Sequence, residues 1–559
     1  MKKELISGCL LAFPALLCAE QTRPNIIWIS SEDMSQHLGC YGEAVAKTPN
    51  LDRLAERGTR YDAAYTTCAI SAPVRAGIIT GMYQTTVGGH HMRTTSYLND
   101  AFTQAGYEMV PPHYVKTFTE YLRASGYYCT NNNKTDYQME ETVTMWNECS
   151  TNAHWRNRPD KDMPFFAVFN FNGTHESQTW RIDDVKTDWR KVEVPPYYPD
   201  TEKVRRTIAK QQDNINRMDT WAGNLMAQLE EDGVADNTVI FFWGDHGDGF
   251  PRGKRWLYDS GTHVPLITYV PGQKGGQIND QLISSIDFGA TVLSLAGVQI
   301  PSHMQGQAFL GDQTGEPRAY VAAARDREDE NYDMLRSIRD DRFLYIRNFY
   351  PNQAYVGMVP YRNNSAIMQE LHRLRLAGEL NEVQMLWMNP GPRPDEELYD
   401  YKKDPHNIHN LALDPKYKEV LERMRAMQTQ WGEETHDLGL EVEAQMRERF
   451  WPGGVQPKTA VPVLTYQDET VRYKSFNPAG SVYVGSEYTL KGSVVEVGLH
   501  HPTQGASMVY TFEKGDNAFW QLYTGPMQLT PGDYVLRVRS ARYGWKPAPD
   551  QSFVIHVVE

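Results

Sequence analysis

Cysteine is scarce in this chain, with six among 559 residues. Only Cys40, Cys68, Cys129 and Cys149 lie beyond the first twenty positions. Four cysteines do not staple a chain of this length, and none of them shows the spacing of a zinc site. An excess of positive charge is also missing. The formal net charge is −14, so a phosphate backbone would be repelled and a nucleic-acid partner is disfavoured. Beyond the N-terminus no apolar run reaches the about 20 residues that a membrane span needs. Internal repeats and low-complexity tracts are absent. What remains is the composition of a folded protein, 40% hydrophobic and 23% charged, in a length that calls for two or more domains. An acidic protein that handles an anionic substrate must hold it with a local basic cluster.

The opening stretch MKKELISGCLLAFPALLCAEQT carries Lys2 and Lys3 and then an apolar run to Cys18. That pattern fits a secretory signal peptide over residues 1–19, cleaved after Ala19, rather than a membrane span. The expected destination is the periplasm or the exterior of a bacterium. From Pro24 to Val298 short β-rich runs alternate with helical patterns. PNIIWISSED, YYCTNNNKT, PFFAVFNFNGTH and NTVIFFWGDHGD each read as a buried strand that runs into polar residues. Val204–Asp232 has apolar residues at helical spacing. This alternation predicts an α/β fold with a mostly parallel central sheet and helices on both faces. An irregular region follows over Gln299–Asn348, then helical patterns over Ile367–Trp387 and Pro415–Trp431. The Pro/Gly stretch Trp451–Pro462 reads as a linker. Beyond it, short strands between Gly and Pro turns predict a β-sandwich over 463–559. The expected division is a catalytic domain over 22–366, a smaller α+β subdomain over 367–450, the linker and the sandwich.

In open parallel sheets the ligand site lies outside the carboxyl ends of the strands. Those ends supply Glu32 and Asp33, Lys134 with Asp136, His175, and Asp245 with His246. Carboxylates from two strands plus an imidazole make an oxygen-rich site for a hard divalent cation such as calcium. Singly, each has an ordinary explanation: Glu32-Asp33 as a helix cap, Asp245-His246-Gly247 as a turn, Lys134 as a solvated lysine. Together, each just past an apolar strand, they point to one site. Ser71-Ala72-Pro73-Val74-Arg75 stands apart, because a hydroxyl and a guanidinium one helical turn apart interrupt an apolar stretch.

Ser71-Ala72-Pro73-Val74-Arg75, ending in Ile78-Ile79-Thr80-Gly81, resembles the signature of the type I sulfatases, within the alkaline-phosphatase-like superfamily. Thr48–Thr67, GKRWLYDSGTHVPLI and EELYDYKKDPHNIHNLA resemble further segments of that family, in the same order. The resemblance implies that Ser71 is oxidised to formylglycine, by a radical-type maturing enzyme because it is serine rather than cysteine. A plain serine is a weak nucleophile whose sulfate ester is hard to break again. The hydrated aldehyde attacks sulfur with one oxygen and ejects sulfate with the help of the other. By the same resemblance Glu32, Asp33, Asp245, His246 and residue 71 bind calcium, and Arg75 braces the hydrate. Lys134 and Lys254 contact the sulfate, and His175 protonates the leaving oxygen. Two positions depart from the family pattern: Glu32 replaces an aspartate, and Asp136 replaces a histidine, which leaves the base for the last step open.

His90, His91 and Arg93, in GGHHMRTT, are expected to border the pocket and read sugar hydroxyls, with Asp136 and with Arg252, beside Lys254, as further candidates. Ala323–Asn348 resembles the corresponding stretch of heparan N-sulfatases, which implies a sulfated sugar. The first expectation is a 4-O-sulfate of galactose or N-acetylgalactosamine, and the second is N-sulfoglucosamine. A phosphodiesterase-like relative using unmodified Ser71, or an inactive glycan-binding relative, are the alternatives. In the last segment Trp520, Tyr523, Tyr543 and Trp545 either bind sugar or pack as a structural core.

Overall fold

The computed structural model describes residues 23–94, 106–357, 359–468 and 485–559. The expected signal peptide lies outside them. Eight strands form the central sheet: β1 (Asn25–Ser31), β2 (Thr59–Tyr61), β3 (Tyr128–Asn132), β4 (Glu148–Cys149), β5 (Phe165–Phe171), β6 (Thr238–Gly244), β7 (Leu266–Tyr269) and β8 (Gln277–Asn279). Their spatial order is β4-β3-β5-β1-β6-β7-β2-β8. From β4 to β6 every pair is parallel, while β7 runs antiparallel to both neighbours. β1, β3, β5 and β6 are buried on both faces, which is why they read as apolar runs. In β1 the alternation is still visible: Ile26 and Trp28 enter one core, Ile27 and Ile29 the other. Each large side chain removed from water contributes about 1.5–3 kcal/mol.

Five helices cover these faces: α1 (Pro49–Arg57), α2 (Ser71–Thr80), α3 (Phe118–Ala124), α4 (Glu202–Glu231) and α5 (Asp287–Leu295). Thr201 caps α4 by accepting from the Val204 amide. Its Ile215, Met218, Ala222, Leu225 and Leu229 pack on the Ile27 side together with Leu51 and Leu54 of α1. Val74, Phe118 and Phe288, from α2, α3 and α5, pack on the Trp28 side.

The region expected to be irregular holds three strands, β9 (Val321–Arg325), β10 (Leu335–Arg339) and β11 (Phe343–Asn348), and β12 (Glu396–Asp400) completes an antiparallel sheet. Buried arginines disguised it. Arg336 is fully enclosed, with Asp437 at 2.6 Å and Asp326 at 3.0 Å. The helical pattern over Ile367–Trp387 is two helices, Ala366–Ala377 and Glu382–Met388, separated at Gly378 (φ +71°). The last residues form two further sheets, of three and five strands, around one apolar core that includes Leu464, Val497, Leu536 and Ile555. Tyr543 is buried, with its hydroxyl on Glu120 of α3. The Trp520 ring lies beneath Arg537 and Arg539.

Candidate active site

Register brings the chemistry together. Ser31 pairs with Phe171 of β5 and with Gly244 of β6, so Glu32, Asp33, Asp245 and His246 leave the sheet at one level. Lys134 and His175 follow the neighbouring β3 and β5. Ser71 is the first residue of α2, where Ile70 is still extended (φ −155°) and Pro73 falls in the first turn, a position that tolerates it. The positive end of the α2 dipole therefore faces this cluster.

The geometry is tight. Ser71 Oγ lies 3.3 Å from Glu32 Oε2 and 3.3 Å from His246 Nε2. His246 Nδ1 lies 3.1 Å from the Gly247 carbonyl, and its Nε2 is 2.9 Å from Asp33 Oδ1. The Asp33 amide donates to Asp245 Oδ1 at 3.1 Å. Asp33, Asp245 and His246 together present ligand atoms within 4.8 Å of one another, all buried, and Glu32, Asp33 and His175 form a second such group.

Four cations interleave with five carboxylates. Arg75 donates to Glu32 Oε1 at 2.5 Å, Asp245 Oδ2 at 3.3 Å and Asn170 Oδ1 at 3.0 Å. It thus braces the two acids that flank Ser71. Lys134 Nζ lies 2.7 Å from Glu32 Oε2 and 3.2 Å from Asp136 Oδ2. Lys254 Nζ reaches Asp33 Oδ2 at 2.8 Å, Glu176 Oε1 at 3.1 Å and His175 Nε2 at 3.2 Å. Arg255 closes on Glu176. Burial would raise the Glu32 carboxyl, but Lys134 and Arg75 hold it well below the usual range. Glu176 is likewise held down to about 2, by Arg255 and Lys254 against its burial. Burial would lower Lys254, but Asp33 and Glu176 keep its ammonium charged. Burial, followed by the Lys254 charge, lowers His175. His175 Nδ1 accepts from the Ser177 amide at 3.3 Å and lies 2.9 Å from Ser177 Oγ, and its Nε2 lies 3.2 Å from Lys254 Nζ.

Beside Ala72 opens a cavity of about 400 Å³ lined by Arg93, Glu108, Asp136, Gln138 and Glu140 among others. Asp136 and Arg93, both expected at the substrate, line this cavity. His90, His91 and Arg252 do not. The two histidine rings pack on each other at 4.2 Å, both are buried, and His91 Nδ1 accepts from the Arg327 amide. Arg252 is buried between Tyr197 and Tyr258 and donates to the carbonyls of His406 and Asn407. Both ring nitrogens of His90 and Nε2 of His91 are enclosed without a hydrogen-bond partner among the described residues, whereas carbonyls distant in the chain take the Arg252 donors. Glu176, Arg255 and Asn170 were missed. The first two directly follow His175 and Lys254, and that adjacency was their only signal.

The family model described as Sulfatase matches residues 24–298, and that described as N-sulphoglucosamine sulphohydrolase, C-terminal, matches 244–373. An ulvan-active sulfatase of Formosa agariphila is 38% identical over 94% of this chain and 90% of its own length. Human N-sulphoglucosamine sulphohydrolase is 26% identical over 77% of this chain and 93% of its own. Among solved structures, a 2-O GAG sulfatase superposes with a TM-score of 0.55 at 21% identity, over 74% of this chain and 93% of that one.

Proposed function

The chain belongs to the sulfatase family and is a sulfuric ester hydrolase; on that premise we propose that it removes sulfate from a sulfated saccharide, using formylglycine made from Ser71. One observation carries the reading. Ser71 sits at a helix N-terminus between Glu32 and His246, ringed by Arg75, Lys134 and Lys254, beside a polar cavity. The names of the two curated relatives support a saccharide substrate. The 4-O-sulfates of galactose and N-acetylgalactosamine are the first substrates to test, and N-sulfoglucosamine is the next.

The donor set fits a hard divalent cation. His246 Nε2 and Asp33 Oδ1 face each other at 2.9 Å, while His246 Nδ1 is positioned to donate to a carbonyl. A cation between such lone pairs relieves a contact that otherwise needs a buried imidazolium. Glu32, Asp33, Asp245, His246 and residue 71 would hold calcium, which would supply Lewis-acid stabilisation of the sulfuryl oxygens.

The protein's own groups then divide the work. Lys134 and Lys254 hold sulfate oxygens with charge-assisted hydrogen bonds. With Nδ1 accepting from the Ser177 amide, His175 passes its Nε2 proton to the leaving sugar oxygen, and water resupplies it. Asp136, on the cavity wall, accepts from sugar hydroxyls. Export and maturation by a radical-type enzyme belong to the same proposal.

The test is protein made with such a maturing enzyme. Mass spectrometry of the peptide containing residue 71 is expected to show loss of H₂, and sulfate release is expected from at least one of the three sugars. Unmodified serine in a fully active protein would overturn the formylglycine reading. Matured protein inert on every sulfated saccharide would overturn the substrate reading.

A further inference from the structure

A line of alternating charges leads away from the centre. Lys254 Nζ lies 3.1 Å from Glu176 Oε1, and Arg255 bonds Glu176 at 3.2 and 3.0 Å. Arg255 Nη2 also reaches Asp329 Oδ2 at 3.3 Å, and Asp329 Oδ1 accepts from Arg93 Nε at 2.5 Å. Lys254 is matched by Asp33 and Glu176, Arg255 by Glu176 and Asp329, and Arg93 closes the line on Asp329. The first four side chains are 2–4% exposed, whereas Arg93 is 36% exposed. The line therefore reaches solvent at Arg93, whose guanidinium carries the outermost charge.

Arg93 is built to present that charge. Its guanidinium lies over the Tyr361 ring, 5.2 Å from the ring centre, and Tyr361 packs edge-on against Trp180 at 4.9 Å. Trp180 ends the short helix that begins just after His175. With Nε fixed by Asp329 and the plane fixed by Tyr361, both Nη groups are left without a hydrogen-bond partner among the described residues. The cavity lined by Arg93 begins at Ala72, next to the nucleophile position, and its about 400 Å³ falls in the range of small-molecule pockets. Arg93, Arg255 and Asp329 all take left-handed backbone (φ 58°, 76° and 50°), which non-glycine residues rarely adopt without compensating contacts.

We propose that Arg93 is a specificity residue that binds a second oxyanion on the substrate saccharide, beyond the sulfate being removed. The proposal rests on the sulfated-saccharide reading above. A planar fork suits a uronate carboxylate and also suits a further sulfate, and neutral sugars gain nothing from it.

Matured full-length protein would be assayed on a sulfated disaccharide containing a uronate, on its carboxyl-reduced counterpart, and on the reduced counterpart bearing a second sulfate. The wild-type protein is expected to favour an anionic substrate over the neutral one by about 10- to 100-fold in kcat/KM, the range for a hydrogen bond to a charged group. Whichever anionic substrate is favoured identifies the group bound. Arg93→Gln is expected to bring that ratio close to one, mainly through KM, and Arg93→Lys to retain part of it. A wild-type ratio near one overturns the proposal, as does a ratio that persists in Arg93→Gln. Should Arg93→Gln fail to fold, the wild-type ratio alone decides. Sulfate release indifferent to the second anion defeats only this proposal, whereas a protein inert on all three defeats the substrate reading with it.

Discussion

The end of the central sheet and the C-terminal pair of sheets are folded by different balances of force. Around the sheet end, charged groups are buried and the backbone is strained. Seven of the nine non-glycine residues with positive φ among the described residues are Asp33, Arg93, Asp136, Gln138, Arg252, Arg255 and Asp329; the other two are Asn407 and His436. Each such conformation costs about 1–3 kcal/mol unless its surroundings compensate. In the C-terminal sheets no described non-glycine residue has positive φ, the core is Leu, Val, Ile, Met and Phe, and ion pairs such as Arg539–Asp550 lie at the surface. There, local preference, burial and charge agree. At the sheet end they conflict, and the conflict is concentrated where the chemistry is placed.

Substitutions can break that contrast. The largest effect is expected from Ser71→Ala, which removes the oxygen that carries the reaction. Sulfate release should fall by on the order of 10⁴-fold or more, with thermal unfolding little changed because Oγ makes only two long hydrogen bonds, of 3.3 Å. Arg75→Met leaves the buried Glu32 and Asp245 carboxylates short of their partner. In the presence of chelator, where no cation replaces the guanidinium, it should cost about 3–5 kcal/mol in urea denaturation. Leu536→Ala, at a fully buried position of the C-terminal core, should cost about 2–5 kcal/mol there and leave kcat unchanged. If Leu536→Ala lowers kcat as Arg75→Met does, the two regions do not divide the labour in this way.

What could be read from the sequence follows the same divide. Strands buried on both faces are continuous apolar runs, so β1, β3, β5 and β6 stood out, and the polar residues at their ends marked the site. The antiparallel sheet β9–β12 did not stand out, because Arg325, Arg336 and Arg339 give buried strands a polar pattern. Asp437, which neutralises Arg336, lies about a hundred residues away. Arg252 failed as a pocket residue for a related reason: its carbonyl partners, His406 and Asn407, are equally remote. Hydropathy and spacing register a residue's own chemistry. They do not register a partner brought up by the fold, and paired buried charge depends wholly on such partners.

The smallest effect concerns a charge pair between these extremes. His37 is one-third exposed; its Nε2 lies 2.7 Å from Asp248 Oδ1 and its Nδ1 3.6 Å from Glu43 Oε2. Burial opposes its protonation, but Asp248 and Glu43 outweigh burial and raise the imidazole to about 10. In the unfolded chain the group titrates near about 6.5. A pKa raised by folding stabilises the folded state fully below the unfolded value, and that stability fades as pH rises through the folded value. Partial exposure limits the worth of the pair to about 0.2–1 kcal/mol. His37→Gln is therefore expected to melt slightly below the wild type at pH 6, with the gap narrowing as pH rises above about 6.5. Thermal unfolding of both proteins at each pH cancels every other titration common to the two. A gap that widened with pH would mean that His37 is held neutral in the folded protein, and that the carboxylates beside it are paired elsewhere.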